Sequence, residues 1–168
     1  KQETYANGTS RFFTYDANGN ILSRKDQMAA ITNYTYDDLN RLISKNYPGG
    51  NAETFTYDAG GKMLTANNVN ASLTFTYDNT NRQLSENLNG KTTSYTYDIV
   101  NGTRTITYPG GRVITEQFDD RDRLNAVKEA GNNLASFTYD IGNRMLQKTY
   151  LNGIVTNYSY NDNDWITS

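Results

Sequence analysis

The sequence predicts an all-β fold, built of tandem antiparallel β-hairpins that join into a long twisted, curled or spiralling sheet. Three observations predict it. An aromatic followed by an acid recurs at a nearly constant interval, two turn signals hold fixed offsets from that aromatic, and the segments between turns alternate with period two. The repeated aromatics are Tyr15, Tyr36, Tyr57, Tyr77, Tyr97, Phe118, Tyr139 and Tyr160, spaced 21, 21, 20, 20, 21, 21 and 21 residues apart. Intervals this even mark a repeat architecture, so residues 1–168 read as a single array of about eight hairpins, a fragment of a larger protein.

The first turn follows each aromatic. Four residues on stand Gly19, Asn40, Gly61, Asn81, Asn101, Asp122, Asn143 and Asp164, residue types that tolerate a left-handed backbone. The second turn precedes each aromatic by seven residues, at Gly8, Ala29, Gly50, Asn70, Gly90, Gly111, Asn132 and Gly153, with Ala29 the exception in type. Asn7-Gly8, Asn89-Gly90 and Asn152-Gly153 are strong hairpin dipeptides. Both prolines, Pro48 and Pro109, fall at this second turn, where no ladder donor is lost.

Between turns the chain alternates. In Ala71–Tyr77, Leu73, Phe75 and Tyr77 share one face, and Ser72, Thr74 and Thr76 share the other. Return strands begin at Ile21-Leu22, Leu42-Ile43, Met63-Leu64, Leu84, Leu124 and Met145-Leu146, giving roughly sixteen short strands. The stretch from Arg121 to Asn132 is the nearest thing to a helix, but its turns keep the repeat register and it reads as strand.

Composition narrows the function classes. A net charge of −2 leaves no basic field for nucleic acid and no polybasic patch or long apolar run for membrane insertion. Cysteine and histidine are both absent. That removes thiolate chemistry, disulfides, the commonest general base and the commonest metal ligand. No phosphate-cradling loop and no acid pair distinct from the repeat is present, so the chain reads as non-enzymatic and without a cofactor. Asp119, Asp120 and Asp122, interleaved with Arg121 and followed by Arg123, read as a charged turn.

The recurring side chains read as structural. Each repeat aromatic, with the ring two residues before it, is expected to form a ladder in which every ring meets its counterpart in the next hairpin. Cross-strand pairs of this kind contribute roughly 0.2–1 kcal/mol apiece. Exposed, the same rings would be sugar-stacking platforms, although the single Trp165 sits in the last repeat. Asp16, Asp37, Asp58, Asp78, Asp98, Asp119 and Asp140 follow the aromatics and suit Asx turns, a role that Asn161 can share. One acid per repeat falls short of a calcium site, which needs several oxygens. Arg41, Lys62, Arg82, Arg123 and Arg144 recur five residues after the aromatic, placed to lie over the neighbouring Asp or a ring edge. Interleaved acids cancel them as a basic stripe. Sequons at Asn7, Asn33, Asn70, Asn101 and Asn157 read as by-products of a chain rich in Asn, Thr and Ser.

Tyr139-Asp140-Ile141-Gly142-Asn143-Arg144-Met145-Leu146 and Tyr57-Asp58-Ala59-Gly60-Gly61-Lys62-Met63-Leu64 carry a resemblance to the Rhs family of YD-repeat proteins, and it covers essentially the whole chain. The fifth copy, Tyr97-Asp98-Ile99-Val100-Asn101-Gly102-Thr103, departs from the pattern, and the sixth has Phe118 for Tyr. The resemblance implies hairpins stacked into a spiralling sheet that closes as a hollow β-shell. Bacterial members resemble polymorphic toxins and the shell components of insecticidal toxin complexes, and animal teneurins carry a similar shell. The self-cleaving core segment of bacterial shells, with its catalytic aspartates, has no counterpart in this sequence, nor has a variable toxin region. The implied role is a segment that encapsulates or scaffolds a toxin or other polypeptide. Its partners would be further YD repeats and the cargo, with self-association through sheet edges. Its location would be secreted or cell-surface, in bacteria, with the targeting signal outside these residues. The competing reading is an extracellular carbohydrate-binding or adhesion module built on the same hairpins.

Overall fold

The computed structural model describes residues 1–167, in two compact units, Lys1–Lys91 and Thr92–Ser168. In the first unit the strands are β1 (Gln2–Thr4), β2 (Ser10–Tyr15), β3 (Ile21–Lys25), β4 (Ile31–Tyr36), β5 (Leu42–Asn46), β6 (Ala52–Tyr57), β7 (Met63–Asn67), β8 (Ser72–Tyr77) and β9 (Gln83–Leu88). The second holds β10 (Lys91–Asp98), which starts on the last residue of the first unit, then β11 (Thr103–Thr107), β12 (Val113–Phe118), β13 (Leu124–Glu129), β14 (Asn132–Tyr139), β15 (Met145–Tyr150) and β16 (Val155–Asn157). Within each unit the strands pair antiparallel with their neighbours in chain order. Among the described residues there is no helix, and the stretch around Arg121–Asn132 is indeed a turn followed by strand.

Sheet register follows from the alternation. Thr56 faces Thr65 and Thr76 faces Ser85 across the ladder, and their hydroxyls bond at 2.8 and 2.7 Å on the polar face. The other face takes the rings and aliphatic groups. Its burial is shallow. Among the described residues the buried hydrophobic ones are Ile106, Ile114, Ala126 and Ala135, all between β11 and β14; Ile106 and Ile114 are direct ladder partners, while Ala126, opposite Gln117 and Ser136, lies on the polar face. A sheet this thin leans on its hairpin turns and side-chain hydrogen bonds more than on a deep core.

Most first turns adopt the expected geometry. Gly19, Asn40, Gly61, Asn81, Asp122, Asn143 and Asp164 all have positive φ. In the fifth hairpin the left-handed residue is Gly102 (φ 57°), not Asn101, because that turn is one residue longer. At the second turns, Ala29 takes φ 64° despite its Cβ, closed by the Asp26 carboxylate, which accepts the N–H groups of Met28 and Ala30 at 2.9 Å. Asn132 lies on strand β14, and the turn before it is Ala130-Gly131, both left-handed as in a two-residue type I′ hairpin. Asn70 likewise lacks positive φ. It sits in one of the 20-residue intervals, in a shorter turn closed from Asn68 N–H to the Ala71 carbonyl at 2.8 Å.

Candidate functional site

The recurring side chains assemble into a joint that ties each hairpin to the next. It starts at the Asx turn. Asp140 Oδ1 accepts the Arg144 N–H at 2.9 Å, and Oδ2 accepts Arg144 Nε at 2.6 Å. The turn itself closes from Asp140 N–H to the Arg144 carbonyl at 2.9 Å, with Asn143 in the left-handed region at φ 67°. Held this way, the guanidinium reaches into the following repeat. Its Cζ lies 4.9 Å from the centre of the Tyr160 ring, and Nη1 donates to Asp164 Oδ1 at 2.5 Å. Tyr160 reaches back, its hydroxyl donating to the Met145 carbonyl at 2.7 Å.

The same arrangement recurs upstream. Arg123 bonds Asp119 at 2.8 Å, covers Tyr139 at 4.8 Å and donates through Nη1 to the Asp140 carbonyl at 2.9 Å, while Tyr139 donates to the Leu124 carbonyl at 2.8 Å. In the first unit Arg41 bonds Asp37 at 2.7 Å, covers Tyr57 at 4.9 Å and donates to the Asp58 carbonyl at 2.8 Å. Tyr57 returns a bond to the Leu42 carbonyl at 2.9 Å. Lys62 pairs with Asp58 at 3.1 Å, lies 5.3 Å from the Tyr77 ring centre and donates to Asn81 Oδ1, and Tyr77 donates to the Met63 carbonyl at 2.9 Å. Asn20 fills the cation's place in the first copy, bridging Asp16 Oδ2 and Asn40 Oδ1 at 2.9 and 2.8 Å, and Tyr36 donates to the Ile21 carbonyl at 3.1 Å.

This geometry corrects the expected ring ladder. Equivalent rings stand two strands apart, about 9.6 Å at ordinary strand spacing, beyond the 4.5–7 Å reach of direct aromatic contact. A cation from the preceding repeat fills that gap over Tyr57, Tyr77, Tyr139 and Tyr160. Phe13 and Tyr15, a ring pair that does make contact at 6.4 Å, are neighbours on one strand. The recurring Arg and Lys residues therefore serve both the Asp of their own repeat and the ring of the next.

Electrostatics match the contacts. The backbone N–H of Arg41 and its side chain hold Asp37 below the ordinary carboxylate value. Bonding from the Arg123 side chain brings Asp119 down to about 2. At Asp78 burial alone would raise the value, but the Arg82 N–H and guanidinium and the Thr80 donors outweigh it. Desolvation pushes the Tyr36 and Tyr139 phenols up. All of these settle the groups into one protonation state near neutrality, which suits fixed joints rather than proton transfer.

Asp98 also makes an Asx contact, accepting Asn101 N–H at 3.0 Å and Asn101 Nδ2 at 2.6 Å, but Gly102 stands where its cation would be. Asn161 takes the carboxylate's place in the last copy, accepting Asn163 and Trp165 N–H groups at 3.0 Å. A second row of rings lies outside the Tyr-Asp motif, ten residues ahead of four repeat aromatics: Tyr5, Tyr47, Tyr108 and Tyr150. Arg11, Lys45 and Lys148 cover Tyr5, Tyr47 and Tyr150 at 5.1, 4.5 and 4.7 Å. Among the described residues no group of three acids could hold a metal ion.

Residues 47–163, more than half of the chain, match the Teneurin YD-shell family. No curated protein matches the sequence. Solved structures do. The TcdB2-TccC3-TEV crystal structure aligns over 98% of this chain with a TM-score of 0.75 at 16% identity. TcdB2-TccC3 aligns over 90% with a TM-score of 0.68 at 19% identity. The Photorhabdus luminescens Tc holotoxin pore aligns over 90% with a TM-score of 0.67 at 18% identity. In each case the chain spans about a tenth of the matched chain's length (10%), and at these identities the likeness shows a shared fold.

Proposed function

This chain belongs to the Teneurin YD-shell family, and on that premise we propose that it is a non-catalytic wall segment of a β-shell that encloses or scaffolds a partner polypeptide. The observation that carries the reading is the joint. Each regular hairpin spends its cation and its tyrosine hydroxyl on a neighbouring hairpin and its carboxylate on holding that cation in its own turn, so the side chains that recur are consumed in building the wall. The structural neighbours are Tc toxin components, which supports a toxin or similar polypeptide as the enclosed partner and a secreted or surface-delivered location. Further repeats of the same kind would flank the segment, and residues 1–168 would act as one array. Isolated, the chain would associate with its own copies through unpaired strand edges. The adhesion or carbohydrate-binding reading draws less support, because cations already occupy the ring faces that a sugar would use.

Protease protection tests the proposal. In a longer polypeptide that carries this segment and its partner, the partner should resist digestion while the wall is intact. It should become sensitive when Arg41, Arg123 and Arg144 are all changed to Ala. Equal digestion of the partner with and without those changes would overturn the reading.

A further inference from the structure

The regular cations are saturated, and two arginines outside the motif are not. Arg11 on β2 and Arg24 on β3 each bury an Nε that has no hydrogen-bond partner. They share a face. Phe13 lies directly across the ladder from Arg24, and Arg11 stands two residues from Phe13 on its own strand. The two guanidinium groups therefore flank one ring as diagonal neighbours, on the order of 7–8 Å apart at Cα. Arg11 also lies over the Tyr5 ring at 5.1 Å, which leaves its donors unspent, since a ring face accepts no directed bond pair of the kind a carboxylate does. Glu3, opposite Arg11 in the ladder, is exposed and makes no ion pair among the described residues. Both Nε atoms are closed to solvent, so an outside acceptor would meet the outer Nη groups of the same guanidinium groups, and neither arginine makes a hydrogen bond or ion pair among the described residues.

We infer that the Arg11–Phe13–Arg24 face of the first unit is a docking surface for an acidic, partly apolar polypeptide segment, with a carboxylate held between the two guanidinium groups and an apolar side chain laid on Phe13. This rests on the wall reading above and gives the enclosed partner a chemistry. Charge complementarity carries the choice of occupant, because the Arg fork matches a carboxylate in two parallel bonds. A sugar is disfavoured here, because Thr32, the hydroxyl across the ladder from Arg24, is only 4% exposed.

The test uses the whole chain and a short fluorescein-labelled peptide that alternates Glu with Gly and Leu, read by anisotropy. Binding should weaken roughly tenfold or more in the Arg11→Gln/Arg24→Gln variant, and equally when Gln replaces every Glu in the peptide. It should fall with added salt and stay unchanged in Lys25→Gln, on the opposite face. No binding to the unaltered chain, equal binding of the Gln peptide, or an equal loss in Lys25→Gln would overturn the inference. So would binding of polygalacturonate in place of the peptide. Circular dichroism of each variant separates the two readings. A retained β signal with no peptide binding removes the docking surface and leaves the wall intact, whereas a lost β signal in Arg11→Gln/Arg24→Gln makes the single Arg24→Gln variant the deciding measurement.

Discussion

The hairpin that begins at Tyr139 and the one that begins at Tyr97 start from the same Tyr-Asp pair and end as different joints. In the first, five residues separate Tyr139 from its ladder partner Met145, and the register shifts at Thr138/Tyr139. In the second, six residues separate Tyr97 from Arg104, and no shift occurs. The bulge sits at the repeat aromatic in the Tyr15, Tyr36, Tyr57, Tyr77 and Phe118 hairpins as well. A bulge bends the strand and re-aims the side chain beside it. Without it, the fifth turn lengthens, Gly102 takes the cation's position, and the charge moves onto the strand as an Arg104–Glu116 pair at 2.6 Å. The following aromatic is Phe118, which has no hydroxyl to return. Cation and hydroxyl are thus both missing at this joint, whereas at the first joint Asn20 replaces the cation and Tyr36 still donates its hydroxyl to the Ile21 carbonyl.

Acid gives the largest expected effect and reaches both kinds of joint, since the Asn101 side chain and N–H hold Asp98 of the fifth turn below its ordinary value too. Asp37, Asp58, Asp119 and Asp140 all lie below the ordinary value of 3.8 in the folded chain. A depressed folded value means that their contribution is complete above the unfolded value and is lost as pH falls through the folded one. Circular dichroism should show cooperative unfolding between about pH 4 and the region near 2, where Asp119 titrates. A melting temperature flat over that range would remove the carboxylates from the account.

Single changes sharpen the contrast. Asp140→Ala removes an acceptor for both the turn and Arg144. It should lower the melting temperature more than Gly102→Ala, Tyr139→Phe or Arg144→Lys, and more than Asp98→Ala, whose carboxylate accepts from Asn101 within its own turn. Asp140→Asn should recover most of the loss, as Asn161 already manages without charge. Equal melting temperatures for Asp140→Ala and Asp98→Ala would erase the distinction between the joints. Gly102→Ala comes next. Its φ of 57° disfavours a side chain, and a Cβ would stand 3.1 Å from the Phe118 carbonyl oxygen. Chemical denaturation should show a loss of about 1–2 kcal/mol. Tyr139→Phe, which makes the seventh copy resemble the sixth, should cost about 1 kcal/mol through the lost bond to Leu124. Smallest is Arg144→Lys, which keeps a charge near Asp140 but loses the planar fork over Tyr160. A thermal shift too small to resolve fits a partly exposed pair, and a loss larger than that of Tyr139→Phe would place the cation ahead of the hydroxyl.

How much of this was legible depended on which property carried it. Strand positions and the Asx role of the acids followed from period and residue type, because backbone preferences are local and Asp16, Asp37 or Asn161 can act only on the turn they open. Turn type was less secure where an interval changed. Asn70 and Asn132 look like turn residues by offset, but a shorter loop at one and an Ala-Gly turn at the other moved the left-handed residue. The second row, Tyr5, Tyr47, Tyr108 and Tyr150, had a spacing signal that the stronger Tyr-Asp motif obscured.

By itself the sequence determined the metre of this protein: sixteen strands, their order along the chain and the acid that closes each regular turn, since all of these arise from interactions within a few residues. What only the tertiary structure decided was the partner of each ring. Equivalent tyrosines lie too far apart across two strands to touch, so a cation from the preceding hairpin fills the space, and that choice depends on strand spacing and on where a bulge aims the side chain. The same distances left Arg11 and Arg24 with donors that no neighbour satisfies.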